Sequence, residues 1–278
     1  MSVFKKENRG VEVESGSTLA DVYPIISDHR ATGAGHYVIT RTYPSNDVEI
    51  CALRLSSDDS ICKGGGAKRV NEFKSEMNSV VLIKSQSRAK TAIRRKCMTM
   101  QANRLLTLTF RENLTDIPLA WKKFHQFVKL MRFQTPDFTY VCVPEYQQRG
   151  AVHFHLAVHG YFNYNVVRHY WRRAASSSGG NVDFTSIRSK NGSVVRNPKK
   201  IGCYIAKYIS KNDVVEFNKR RYSSGGDIKI PLAVTGWLCI TDAVVYHLCQ
   251  LLGKLTHKNI SNIWESEDGR FPIICIST

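Results

Sequence analysis

The sequence predicts an α+β fold, a central antiparallel β-sheet flanked by helices, and three observations carry that prediction. Leu105 to Phe110 and Val152 to Val158 alternate in side-chain type with the two-residue period of a strand. Phe138 to Glu145 precedes the second of these, and the polar stretch Tyr146 to Arg149 followed by Gly150 suits a hairpin connection. Apolar residues then recur at helical spacing between the strands, as at Trp121, Phe124, Val128 and Met131. The resulting string of strand, helix, hairpin, helix, strand, helix is that of a sheet with helices packed on it.

The elements follow in order. Gly35 to Tyr43 and Val48 to Leu55 read as strands joined by the turn Pro44-Ser45-Asn46-Asp47, and Ser56 to Gly66 as a turn-rich loop. Gly64 to Lys68 lacks the first glycine and the hydroxyl residue of a phosphate loop, so no ATPase is inferred from it. Lys68 to Gln101 is rich in helix formers and carries Lys84, Arg88, Lys90, Arg94, Arg95 and Lys96, a face suited to phosphate contacts or to solvent. After the strand at 105–110, Thr115 or Asp116 caps a helix with Pro118 in its first turn. A second amphipathic helix is expected near Val166 to Ala175, with Arg168, Arg172 and Arg173 on a basic flank. Ser176 to Gly180 reads as a flexible connection, Asn181 to Ile187 as a strand, and Arg188 to Lys200 as a basic loop. Asn197 or Pro198 then opens a helix.

Composition narrows the partners. The 278 residues can bury a sizeable core and fit one main domain with N-terminal additions. Forty Lys and Arg against 23 Asp and Glu give a formal charge of +17, which favours a polyanion such as nucleic acid or an anionic membrane. Aromatic residues at 10% also supply stacking surfaces for unpaired bases. The eight cysteines are scattered without zinc spacing and read as the reduced thiols of a cytosolic protein. The N-terminus shows no secretory signal. Pro231 to Gly253 is mostly apolar, but Asp242 at its centre would cost about 2.5 to 3.5 kcal/mol in a bilayer. A strand to Ile240 and a helix capped by Thr241 explain it better, and no membrane partner is expected.

Two stretches carry chemistry. In the strand GAVHFHLAVH, Val152, Phe154, Leu156 and Val158 form one face, while His153, His155 and His159 share the other. Folding the hairpin about Arg149 sets Glu145 opposite His153, with Cβ atoms roughly 5 Å apart. His159 stands about 13 Å beyond His155 along the strand and is too far to share an ion with it. Glu145, His153 and His155 are therefore the candidate ligands of a divalent cation that keeps open positions for water or a phosphate oxygen. A one-residue slip in register would turn Glu145 away, and another carboxylate would then have to serve. In the helix IGCYIAKYISK, Tyr204, Lys207, Tyr208 and Lys211 fall on one face beside the anchoring stripe Ile201, Ile205 and Ile209.

LLTLTF, HFH and YIAKYISK, in that order and spacing, resemble the three motifs of the HUH endonucleases that initiate rolling-circle replication, in the form with two active tyrosines found in small phages and plasmids. The resemblance covers roughly residues 104 to 215. It implies a metal-dependent DNA nickase and strand transferase of the bacterial cytoplasm, with Mg²⁺ or Mn²⁺ on His153, His155 and Glu145 and with Tyr204 and Tyr208 as nucleophiles. Lys207 and Lys211 would favour the ionised phenol or hold the phosphate. Implied partners are single-stranded or origin DNA and a host helicase and polymerase. The corresponding division of the chain is an N-terminal extension at 1–100 with a basic helical segment at 68–101, a nicking domain at 102–256 and a tail at 257–278. A transposase or relaxase of the same chemistry, a water-activating metallohydrolase, and a noncatalytic nucleic-acid-binding sheet are the competing readings.

Overall fold

The computed structural model describes residues 18–28, 35–55, 76–176, 179–185, 187–188, 194–211, 221–239, 242–265 and 273–278. The chain opens with α1 (Leu19–Val22), β1 (Ile26–Ser27), β2 (Gly35–Thr42) and β3 (Val48–Leu55). It continues through α2 (Glu76–Thr99), β4 (Arg104–Phe110), α3 (Ile117–Gln134), β5 (Tyr140–Tyr146), β6 (Val152–Val158), α4 (Tyr164–Ala175) and β7 (Gly179–Thr185). There follow β8 (Ile187–Arg188), β9 (Val194–Val195), α5 (Pro198–Ala206), α6 (Tyr208–Lys211) and β10 (Ser223–Gly225). The last elements are β11 (Val234–Leu238), α7 (Val244–Leu255), β12 (Asn262–Glu265) and β13 (Ile273–Ser277). These elements form an α+β fold with two large antiparallel sheets, as the sequence predicts in class.

Two compact units divide the chain, residues 1–69 with 231–278 and residues 70–230. In the first, six strands pair in the order β1-β11-β2-β3-β13-β12. Asn46, with φ at 57°, turns the hairpin between β2 and β3, a left-handed position that asparagine tolerates. Val38, Val48, Ile50, Ala52 and Ile276 of this sheet share a core with Leu248, Leu251, Leu252 and Leu255, the apolar stripe of α7.

The second unit is built on five strands in the order β10-β5-β6-β4-β7. Alternation gives its sheet two different faces. Leu106, Leu108, Phe110, Phe154 and Leu156 point to α3 and α4, where they meet Phe124, Phe127, Met131, Val167 and Trp171. Leu105, Val141, Val143 and Ala157 point the other way, to Ala89, Ile93 and Cys97 of α2 and to Ile201 and Ile205 of α5. The helix starts are capped as their residues suggest. Asp116 accepts from the Leu119 amide, Asn163 from Asn165 and Val166, and Asn197 from Lys200.

Several boundaries differ from the expected ones. The segment 231–256, assigned from sequence to the nicking domain, contributes β11 and α7 to the first unit, and β12 and β13 of the expected tail pair into that same sheet. Long-range strand pairing fixes this, since β11 finds β2 and β13 finds β3 across most of the chain. Helix α2 belongs with the second unit, because its apolar positions cover the sheet beside α5. Helix α7 starts after Ala243, which takes a left-handed φ of 52° and gives no side-chain cap. Thr241, Gly64 to Lys68 and the middle of the 188–200 loop lie outside the described residues. Among the described residues no helix is long and apolar enough to cross a membrane.

Candidate active site

Register brings the two sequence motifs together on the α5 side of the five-stranded sheet. Glu145 on β5 and Thr109 on β4 both lie opposite His153, while Val143 and Thr107 lie opposite His155. The hairpin folds in the predicted register, so Glu145 shares a face with both histidines. It reaches diagonally, as neighbours two positions apart on facing strands can. The Nε2 of His155 donates to Glu145 Oε2 at 2.6 Å, and Thr107 Oγ1 donates to His155 Nδ1 at 3.2 Å. Both nitrogens of His155 are therefore held, which fixes the ring between strands β4 and β5 with its proton on Nε2.

His153 is different. Its Nε2 is buried and has no hydrogen-bond partner. Burial lowers its pKa, and the neighbouring His155 and Arg149 act in the same direction against the opposing pull of Glu145. A neutral imidazole with an uncommitted nitrogen is the form that ligates a cation.

Above this surface lies the tyrosine segment. Gly202 lets α5 approach α2 so closely that a Cβ there would stand 2.9 Å from Arg94 Cα. The predicted single helix breaks at Lys207 into α5 and α6. Ile201, Ile205 and Ile209 are still buried as the anchoring stripe. Tyr208, 5% exposed, lays its ring on that of His155 with centroids 3.9 Å apart and planes 3° apart. Its hydroxyl donates to that of Tyr204 at 3.4 Å. Lys207 Nζ stands 3.7 Å from the Tyr204 ring centroid and 4.9 Å from that of Tyr208.

Burial pushes the Tyr208 phenol well above its ordinary pKa, and its hydrogen bond to Tyr204 and the nearby Glu145 carboxylate push the same way. This is opposite to the acidification expected from neighbouring lysines. The ammonium of Lys207 lies over ring faces, whereas the Tyr208 oxygen is enclosed beside another phenol and a carboxylate. Lys211 ends α6, and its side chain lies outside the described residues. His159 is engaged elsewhere, its Nδ1 donating to the Gln101 carbonyl at 2.7 Å.

Among the described residues no three His, Cys, Asp or Glu side chains stand together in a metal-holding group. The direct contact between His155 and Glu145 joins two of the candidate donors to each other. In kind, two imidazoles and a carboxylate suit a divalent cation, and the orphaned His153 Nε2 is a donor without other use. Sequence reasoning missed Thr107 as the residue that orients His155. The signal was present in the Thr of LLTLTF, on the face of the strand that the histidines share.

Residues 103–213, less than half of the chain, match a family of replication-associated proteins, the one typified by the ORF2 replication protein. This stretch contains β4 to β7 and the tyrosine segment, and the match supports a replication initiator of the Rep kind. No curated protein and no solved structure matches the chain.

Proposed function

We propose that the protein nicks and rejoins single-stranded DNA at a replication origin through a 5′-phosphotyrosine intermediate, as a two-tyrosine HUH endonuclease. The observation that carries this reading is the juxtaposition of Tyr204 and Tyr208 with the His155–Glu145 pair on the sheet. Two phenols one helical turn apart, against a polar strand face inside an apolar core, have a use in successive transesterifications.

In each transfer a tyrosine oxygen loses its proton and bonds to phosphorus. The O3′–P bond breaks, and the leaving oxygen takes up a proton to become a free 3′-hydroxyl. The number of phosphodiester bonds is unchanged, so the reverse attack by a 3′-hydroxyl reseals the strand. Lys207 offers positive charge beside both rings, where it favours a phenolate or a bound phosphate. While one tyrosine is esterified, the other can attack the next junction. His153, His155 and Glu145 would hold Mg²⁺ or Mn²⁺, which supplies Lewis-acid polarisation of a phosphate oxygen. Origin DNA, and a host helicase and polymerase acting on the opened strand, are the partners this activity requires.

The test is incubation with labelled single-stranded origin DNA and Mn²⁺, followed by denaturing electrophoresis. A covalent adduct that disappears in the Tyr204→Phe/Tyr208→Phe protein supports the proposal. Cleavage without any adduct would falsify it.

A further inference from the structure

Beside the tyrosine site, the second unit has an open cleft of about 680 Å³ lined by Thr109, Arg111, Arg168, Arg172, Gly180 and Asn181, among others. It is built at an irregularity. The pairing of β4 with β7 shifts register between Leu108 and Phe110, and Thr109 Oγ1 fills the break by accepting from the Asn181 amide at 2.9 Å and donating to the Asn181 carbonyl at 3.2 Å. Trp171 Nε1 donates to the Thr109 carbonyl at 2.8 Å and ties α4 to the same point. Two glycines make the approach possible. A Cβ on Gly180 would stand 2.5 Å from the Thr109 carbonyl oxygen, and one on Gly179 would stand 2.7 Å from Arg172 Cα.

Close packing at this corner brings Arg168 and Arg172, one helical turn apart on α4, beside Arg111 at the end of β4. Arg168 Nε is buried with no hydrogen-bond partner. No carboxylate pairs with any of the three guanidinium groups among the described residues. Like charges set together without a counter-ion repel one another, and a phosphodiester relieves both the repulsion and the unpartnered donor. The cleft is also next to the chemistry, since Thr109 in its wall is the β4 residue paired with His153.

We infer that this cleft is a second DNA site, which grips backbone phosphates of the single strand next to the scissile one and so fixes which phosphate meets the tyrosines. The inference rests on the reading of the tyrosine site as one that acts on single-stranded DNA. Arg168 and Arg172 are positioning residues in this role, and the ligand is the sugar–phosphate backbone rather than a base, because the lining is guanidinium, backbone and small side chains.

The test is fluorescence anisotropy of the full chain with a labelled single-stranded oligonucleotide, without added metal, at about 50 to 200 mM salt. Arg168→Gln/Arg172→Gln is compared with Lys122→Gln/Lys129→Gln, which removes the same charge from the exposed side of α3. The arginine variant is expected to bind roughly tenfold more weakly and to lose about 1.4 from the slope of log K against log salt, at about 0.7 for each phosphate released. Arg168→Lys/Arg172→Lys should regain the slope but only part of the affinity. Circular dichroism of each variant separates weak binding from misfolding, and the lysine pair keeps the inference testable if the glutamine pair fails to fold. Equal losses in the arginine and α3 variants, or unchanged binding in the arginine variant, overturn the inference. Failure of the wild-type chain to bind overturns it as well. Binding that depends on the arginines, with no covalent adduct under nicking conditions, leaves the cleft standing and sinks the nicking reading instead.

Discussion

The ring of Tyr208 lies flat on the imidazole of His155, 3.9 Å away and tilted by only 3°. This contact joins the tyrosine segment to the centre of the sheet, because His155 is itself held by Thr107 from β4 and by Glu145 from β5. A change in any one of these groups therefore reaches the others, and the pair makes several outcomes measurable.

The two phenols should not be equivalent. Tyr208 is buried and its hydroxyl is held protonated, whereas Tyr204 is half-buried with Lys207 over its ring. Tyr204→Phe should lower the rate of first adduct formation about tenfold more than Tyr208→Phe, a difference of roughly 1.4 kcal/mol in barrier. Single-turnover labelling on an oligonucleotide with one cleavage site reads this directly, and the opposite ranking would refute the assignment.

Stability should separate the ring of Tyr208 from its hydroxyl. Tyr208→Phe removes one hydrogen bond and should cost about 1 kcal/mol, whereas Tyr208→Ala also empties the space against His155 and should cost about 3 kcal/mol or more. Urea unfolding of both variants gives the comparison. Equal costs would mean that the stacked ring contributes nothing.

Gly202 sets the height of the tyrosine segment. Gly202→Val should force α5 away from Arg94 and Cys97, with a loss of about 1 to 3 kcal/mol from overpacking. Adduct formation should fall in the same protein under conditions where it remains folded. Retained stability together with full activity would show that the close approach is dispensable.

Glu145→Gln keeps the shape of the side chain and removes its charge. If Glu145 helps to hold a cation, the Mn²⁺ concentration needed for half-maximal adduct formation should rise on the order of tenfold or more. Electron paramagnetic resonance of added Mn²⁺ measures binding without turnover. An unchanged metal titration would exclude the carboxylate as a ligand.

Cys97 supplies a pH signature away from the site. Burial first, and then Cys203 beside it, hold its thiol far above the ordinary value of 9.0. Above about pH 9 the unfolded chain loses this proton while the folded chain keeps it, so this group makes stability fall as pH rises. Cys97→Ala should flatten that fall relative to its own stability near neutrality. Melting curves collected from neutral to alkaline pH test the sign, and an identical alkaline slope in the variant would disprove it.

Much of the site was legible in the sequence because the relevant periods are local. Two-residue alternation put His153 and His155 opposite Phe154, and the short polar loop with Gly150 set Glu145 against His153. Helical spacing likewise put Tyr204 beside Tyr208 over an isoleucine stripe. What these patterns left open was the third dimension of the contacts. The stacking of Tyr208 on His155, the burial that raises the phenol and the break at Lys207 depend on how α5 seats between α2 and the sheet.

The sequence by itself determined the α+β class, the capped helices and the faces on which the candidate groups lie, since each follows from neighbours a few residues apart. Only the tertiary structure decided that 231–278 joins the first sheet and that α2 covers the second. It also decided that Arg111 meets Arg168 and Arg172 beside the register shift of β4. These are pairings between distant segments, selected by the burial of whole faces, and no local period encodes which distant face a segment will find.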